Sequence, residues 1–190
     1  MKPPVVLLAG GKGTRLGSLT KDTPKPLVTI NGRAVLDHIL IRLRLEGFER
    51  FIICVGHLAH KMAEHEFPVP VELIYEQEPL GTGGATRKAF ELKGLDEAWV
   101  LNADTLRDTP LPEPIDGDFV YLSTSDNYDS GAYYVRKTAF REETDSIHGL
   151  CRMYQGIRFQ QIPGKFYDMG TLQGLEQFKD YLDSIPYGVR

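Results

Sequence analysis

The sequence predicts an α/β fold built around a parallel sheet. Three observations carry that expectation. Short continuous apolar runs, such as Val5–Ala9 and "RFIICVG", are what a parallel strand covered on both faces requires. Segments of helical spacing alternate with those runs. Glycine-rich or polar stretches follow the runs directly, at the strand ends where open α/β sheets bind ligands.

The elements follow in order. After the strand Val5–Ala9, "AVLDHILIRLRLEG" sets Val35, Leu36, Ile39, Leu40 and Leu43 at helical spacing, with Gly47 as a stop. "RFIICVG" is the next strand, "AHKMAEHE" a short polar helix and "VELIYEQ" a third strand. "GGATRKAFELKG" is a helix opening on glycines, and "AWVLNAD" a fourth strand running into polar residues. This order implies right-handed crossovers. The loops from Gly10 and from Glu76 and the "NAD" segment then sit at carboxyl ends of strands. Further on, "DFVYLST" and "GAYYVRK" are strands, followed by a polar helical segment, a strand near "RFQQI" and the stretch "KFYDMGT". A last amphipathic helix places Leu172, Leu175, Phe178 and Leu182 on one face. The proline-rich "DTPLPEPIDGD" is a surface loop rather than a junction. Residues 1–190 are therefore expected to form one domain.

Composition narrows the function. A net charge of −4 over 190 residues argues against a nucleic-acid partner bound by a general basic surface. Any phosphate site must be a local concentration of positive charge. Cys54 and Cys151 make no disulfide framework, and Cys54, in an apolar run, reads as a small buried hydrophobe. No apolar run approaches the roughly 18 residues of a membrane span. The chain enters a strand with no signal-peptide pattern, and these absences together point to the cytoplasm.

The charge is concentrated in "LAGGKGTRLGSLTKDTPKPLV". Gly10, Gly11 and Gly13 let the backbone approach a ligand with its N–H groups forming an anion nest. Leu16 stands where a dinucleotide fingerprint needs its third glycine, and the P-loop ending is missing too. Arg15 adds a guanidinium fork suited to phosphate oxygens. Pro24 and Pro26 stiffen the backbone on either side of Lys25.

This long stretch resembles the signature of the sugar-phosphate nucleotidyltransferases, or nucleotide-sugar pyrophosphorylases. "EPLGTGGA" resembles the family's base-reading loop, "VLNADT" its strand-end aspartate segment and "FYDMGT" its late segment with a second aspartate. The resemblance implies a Rossmann-like three-layer α/β/α fold with a mostly parallel, mixed sheet. It implies transfer of a nucleoside monophosphate from a nucleoside triphosphate to a sugar 1-phosphate, with release of pyrophosphate. Arg15 and Lys25 would be catalytic, Arg15 holding the leaving pyrophosphate and Lys25 drawing charge from the α-phosphate. Asp104 and Asp168 would hold Mg²⁺, although a strand-end turn and a helix cap are their alternatives. The nucleotide would meet Leu8, Ala9, Gly10, Gly11, Gly13 and Thr14, and Glu78, Pro79, Gly81, Thr82 and Gly83. The sugar phosphate would meet Asn102, Ser130, Gly131 and Lys165. "EPLGTGGA" most resembles the heptose 1-phosphate guanylyltransferases, then the mannose 1-phosphate guanylyltransferases, which favours GTP.

One departure stands out. Family members usually carry a long insertion between the "NADT" and "GAYYV" segments, with a tyrosine–glycine pair and a glutamate–lysine–proline element. Here only "LRDTPLPEPIDGDFVYLSTSDNYDS" intervenes. The nucleotide part, residues 1–108, is complete, and the sugar-phosphate part, 109–190, is pared down. Lys165 or Arg136 could replace the missing phosphate-gripping lysine, and a homo-oligomer could complete the site. An active enzyme is favoured over a non-catalytic nucleotide-binding or regulatory paralogue, because Arg15, Lys25, Asp104 and Asp168 are all retained. Within the enzyme class the alternative is a uridylyl-, thymidylyl- or cytidylyltransferase acting on another sugar 1-phosphate or a small phosphorylated acceptor. His57, His60 and His65 read as a solvated face rather than a metal site, His38 lies in the first helix and His148 in a polar loop.

Overall fold

The computed structural model describes residues 1–123, 129–140 and 158–185. The polar helical segment, His148 and Cys151 lie outside the described residues. Seven strands form one sheet in the order β10-β8-β9-β6-β1-β4-β5. They are β1 (Val5–Ala9), β4 (Phe51–Val55), β5 (Glu72–Tyr75), β6 (Glu97–Asn102), β8 (Phe119–Ser123), β9 (Asp129–Arg136) and β10 (Arg158–Gln161). β5, β4, β1 and β6 run parallel, while β9 enters antiparallel between β6 and β8. The sheet is thus mixed and mostly parallel. Two short antiparallel pairs stand apart from it, β2 (Thr29–Ile30) with β3 (Arg33–Ala34), and β7 (Thr105–Arg107) with β11 (Phe166–Asp168).

Alternate residues of β1 sort the core into two layers. Val5, Leu7 and Ala9 pack with α1 (Val35–Leu45), Met62 of α2 (Ala59–Glu64), and Phe178 and Leu182 of α4 (Leu172–Ser184). Val6 packs on the opposite face with Ala85, Ala89 and Phe90 of α3 (Gly81–Lys93). Period-two alternation in the strand therefore produces the α/β/α sandwich. α3 ends at Gly94, whose φ of +60° suits a left-handed C-cap.

The amphipathic expectation for α4 needs one correction. Phe178 and Leu182 are buried, but Leu172 is 59% exposed. It stands at the first turn, just past the Thr171 cap, and the buried position of that turn is filled by Gly174. A side chain at Gly174 would collide with the backbone carbonyl of Asp168, so the helix start is pressed against β11. His65 is also not on a solvated face: its Nε2 lies 2.9 Å from Asp37 Oδ1, tying the end of α2 to α1. His38 donates from Nε2 to the Ile30 carbonyl at 3.1 Å, and burial lowers its pKa. Cys54 is fully buried, and burial pushes its thiol up to about 12.

A buried charge knot fastens β7 to α1. Arg107 donates through Nη2 to both carboxylate oxygens of Glu46, at 3.2 and 3.1 Å. Arg42 donates to Glu46, to the Asp108 carbonyl and to the Tyr181 hydroxyl. The Leu111 amide completes the shell of Glu46 at 3.0 Å. The side chains of Glu46 and Arg107 are 7% and 5% exposed, so removal of one partner strands the other away from water. Glu46→Ala should lower unfolding free energy by about 3 kcal/mol. The double variant Glu46→Met/Arg107→Met should cost clearly less than the two single changes combined, as read from urea denaturation midpoints.

Candidate active site

The chain runs outward from β1 to β4 and β5, then returns to β6 on the other side of β1. That reversal opens a crevice at the carboxyl ends of the strands. A cleft of about 310 Å³ lies there, lined by Leu8, Ala9, Gly10 and Gly11 after β1, by Asn102 and Asp104 after β6, and by Lys25 and Pro26. Glu76, Pro79, Gly81, Thr82 and Ala85 complete it from the β5–α3 connection. A broader cleft of about 830 Å³ adjoins Arg15, Lys165 and Asp168, with Gln173, Gln177 and Asp180 of α4.

Each charged group is held by its own local chain. Lys25 opens a tight 3₁₀ turn in which the Leu27 amide donates to the Pro24 carbonyl at 2.8 Å. Its stem lies against Gly13, where a Cβ would come within 3.0 Å of Lys25 Cβ, at a φ of +65° that favours glycine. Asp104 follows β6, and the Ala103 amide donates to the Leu8 carbonyl at 3.2 Å, tying this end to β1. Asp168 ends β11, opposite Thr105 in β7. The Met169 amide donates to the Asp104 carbonyl at 2.9 Å. Two aspartates far apart in sequence are thereby fixed side by side.

The four groups converge between the clefts. Lys25 Nζ donates to Asp104 Oδ2 and stands 4.0 Å from Asp168 Oδ1. A methyl group added at Gly170 would lie 2.8 Å from each of Arg15 Nη2, Asp168 Oδ1 and Lys25 Nζ. The bare Gly170 is what lets two cations and a carboxylate share that space.

The family model described as nucleotidyl transferase matches residues 4–117, more than half of the chain. This chain belongs to the nucleotidyl transferase family. The D-glycero-alpha-D-manno-heptose 1-phosphate guanylyltransferase of Campylobacter jejuni is 38% identical over 110 residues, covering 56% of this chain and 49% of that protein. The bifunctional protein GlmU of Methanococcus maripaludis is 36% identical over 203 residues, covering 90% of this chain and 48% of that protein. The chain spans about half the length of the curated relatives it matches. The crystal structure of HddC from Yersinia pseudotuberculosis complexed with GMP-PN superposes with a TM-score of 0.81 at 24% identity, over 95% of this chain and 100% of that one. The mixed α/β fold is thus that of the nucleotidyltransferases.

The structure of this nucleotidyl transferase sorts the expected residues. Leu8, Ala9, Gly10, Gly11, Pro79, Gly81, Thr82, Asn102, Lys25 and Asp104 all line the first cleft. Arg15, Asp168 and Lys165 line the second. Gly13 supports Lys25 rather than lining either cleft, Thr14 is exposed at the start of a 3₁₀ segment, and Gly83 is buried in α3. Ser130 lines neither cleft: it is 1% exposed and donates its hydroxyl to the Leu122 carbonyl of β8. Gly131, at a φ of +60°, instead packs on the Asn102 amide, leaving no room for a side chain. Glu78 is exposed and lines neither cleft, while Glu76 enters the first.

Glu76 follows β5 with its carboxylate against Gly10, where a Cβ would lie 2.6 Å from Oε1. The strand-end rule points to Glu76, but the glycine-proline pattern draws attention past it. Burial raises its pKa, opposed by the Leu80 amide and the charge of Lys88. A carboxyl group with a raised folded-state pKa favours folding most below its unfolded value of about 4.3, and that contribution is lost as pH rises through the folded value. Glu76→Gln should therefore melt higher than the parent at pH 7, with the difference closing near pH 4; a constant difference across that range would contradict the burial argument.

Proposed function

We propose that this chain transfers GMP from GTP to a sugar 1-phosphate, releasing pyrophosphate and forming a nucleotide sugar. The carrying observation is the convergence of Arg15, Lys25, Asp104 and Asp168 where the two clefts meet. An acceptor phosphate is already ionised at neutral pH, so the reaction requires no base to create its nucleophile. It requires alignment and neutralisation of crowded negative charge. A phosphate oxygen of the acceptor forms a bond to the α-phosphorus, and the bond from that phosphorus to the β-phosphate oxygen breaks. Lys25 draws charge from the α-phosphate as this exchange proceeds, and Arg15 holds the departing pyrophosphate by its fork.

The nucleotide part is residues 1–108, with Leu8 to Gly11 and Pro79 to Thr82 around the nucleotide. The acceptor part is 109–190, with Asn102 at its border, Gly131 beneath Asn102 and Lys165 in the broader cleft. Members of this family typically need a divalent cation. Among the described residues, no group of three or more His, Cys, Asp or Glu side chains is arranged for a metal. The pair Asp104 and Asp168 nevertheless fits Mg²⁺, which takes one or two carboxylates and fills its remaining positions with phosphate oxygens and water. When bound there, Mg²⁺ would supply Lewis-acid neutralisation of phosphate charge. Among the described residues, no helix is long and apolar enough to cross a membrane.

Glu76 supports guanine as the base. Its carboxylate offers two acceptors at the cleft, and guanine presents two adjacent donors, N1–H and the N2 amino group. Thymine and uracil present one donor on that edge, flanked by carbonyls that a carboxylate repels. The relatives bearing heptose 1-phosphate and mannose 1-phosphate guanylyltransferase names favour those two sugars, in that order. Four nucleoside triphosphates tested against several sugar 1-phosphates, with pyrophosphate release as readout, should rank GTP with heptose 1-phosphate first. Glu76→Gln should lower the preference for GTP over UTP by about tenfold or more. A clear first rank for UTP or dTTP would exclude the guanine assignment.

The two cations should separate kinetically. Lys25→Ala should lose roughly a hundredfold in single-turnover rate, with nucleotide affinity little changed. Arg15→Ala should lose both rate and affinity, and Arg15→Lys should recover little of either. Unchanged chemistry in Lys25→Ala would make the "TPKPLV" turn purely structural.

A further inference from the structure

Lys25 occupies the position that a metal ion would contest. Its ammonium donates to Asp104 Oδ2 and lies 4.0 Å from Asp168 Oδ1, between the two carboxylates. Arg15 reaches the same space above Gly170. Two positive and two negative side chains therefore balance one another without any added ion. The lysine is not a loose surface tether: its side chain is 11% exposed and its stem is pinned at Gly13. A dication approaching this cluster meets two cations, and must break the Lys25–Asp104 pair to gain that oxygen.

We infer that Lys25 is a resident counter-ion that competes with divalent metal for Asp104. It suppresses metal binding to the nucleotide-free protein and releases the aspartates when phosphate draws the ammonium away. This rests on reading Asp104 and Asp168 as the metal pair. A triphosphate offers Lys25 and Arg15 a denser negative charge than two carboxylates do. Its arrival moves the cations to phosphate and leaves the aspartates free for the metal. Nucleotide and metal then bind with positive coupling, each raising the affinity of the other by the same factor. The order is chemically useful, because a site that rejects bare metal is not filled before its substrate arrives.

The test measures binding of Mn²⁺ alone to nucleotide-free protein, by the loss of the free-ion paramagnetic resonance signal. Lys25→Gln and Lys25→Met should each bind Mn²⁺ about tenfold more tightly than the parent, and adding Asp104→Asn to either should remove the gain. In the parent chain, Mg²⁺ titrated until the site is occupied should raise acylation of Lys25 by an amine-reactive reagent, read by mass spectrometry, with the exposed lysines unchanged. That arm needs no variant. Equal Mn²⁺ affinity in parent and lysine variants, abolished by Asp104→Asn, would overturn the counter-ion role and leave the metal pair standing. Absence of Mn²⁺ binding to every form would overturn both. A gain that survives Asp104→Asn, or Lys25 acylation that ignores Mg²⁺, would also overturn the competition.

Discussion

The site depends on a three-residue pairing, β7 against β11. Asp168 lies opposite Thr105, and the Met169 amide is bonded to the Asp104 carbonyl. Through the backbone this pairing brings the second aspartate to the first, and Lys25 bridges their side chains. The pair is too short to stand alone in water. It is buttressed on one side by the Arg42–Glu46–Arg107 knot and on the other by the start of α4, pressed onto the Asp168 carbonyl at Gly174. Charges that look costly in the interior thus fix the platform on which the charges of the site are placed.

Much of this was legible in the sequence. The apolar runs of β1, β4 and β6 specify strands covered on both faces, and the burial of Val5, Val6, Leu7, Ile52 and Val100 agrees. Arg15, Lys25, Asp104 and Asp168 stand out because glycine, proline or a strand end brackets each. What escaped the sequence depends on long-range register. The antiparallel entry of β9 between β6 and β8 leaves no local signature. Ser130 and Gly131 are neighbours with opposite fates, one bonded to β8 and one seated on Asn102. Only the pairing decides which of them meets the cleft. The β2–β3 hairpin turns at Asn31 and Gly32, whose φ values are 52° and 77°, and strands of two residues carry no periodicity to read.

The glycines illustrate how indirect a motif can be. Gly10 yields space to the Glu76 carboxylate, Gly13 to the stem of Lys25 and Gly170 to three charged tips. A glycine-rich signature reads as a cradle for ligand, yet part of it serves the placement of other side chains.

The long separation between β7 and β11 has a consequence for how the chain is made. β1, β4, β5 and β6 all precede residue 105, so the glycine loop, Glu76 and Asp104 can be arranged around a partly built sheet by neighbouring segments. Asp168 joins them only after about sixty more residues, across a long loop closure that carries an entropic cost of its own. A nascent chain stalled in between would carry a cleft shaped for nucleotide with Lys25 and Asp104 in place and no second aspartate. On the proposed function, the chain therefore carries the nucleotide half of its site before the pair of aspartates is complete.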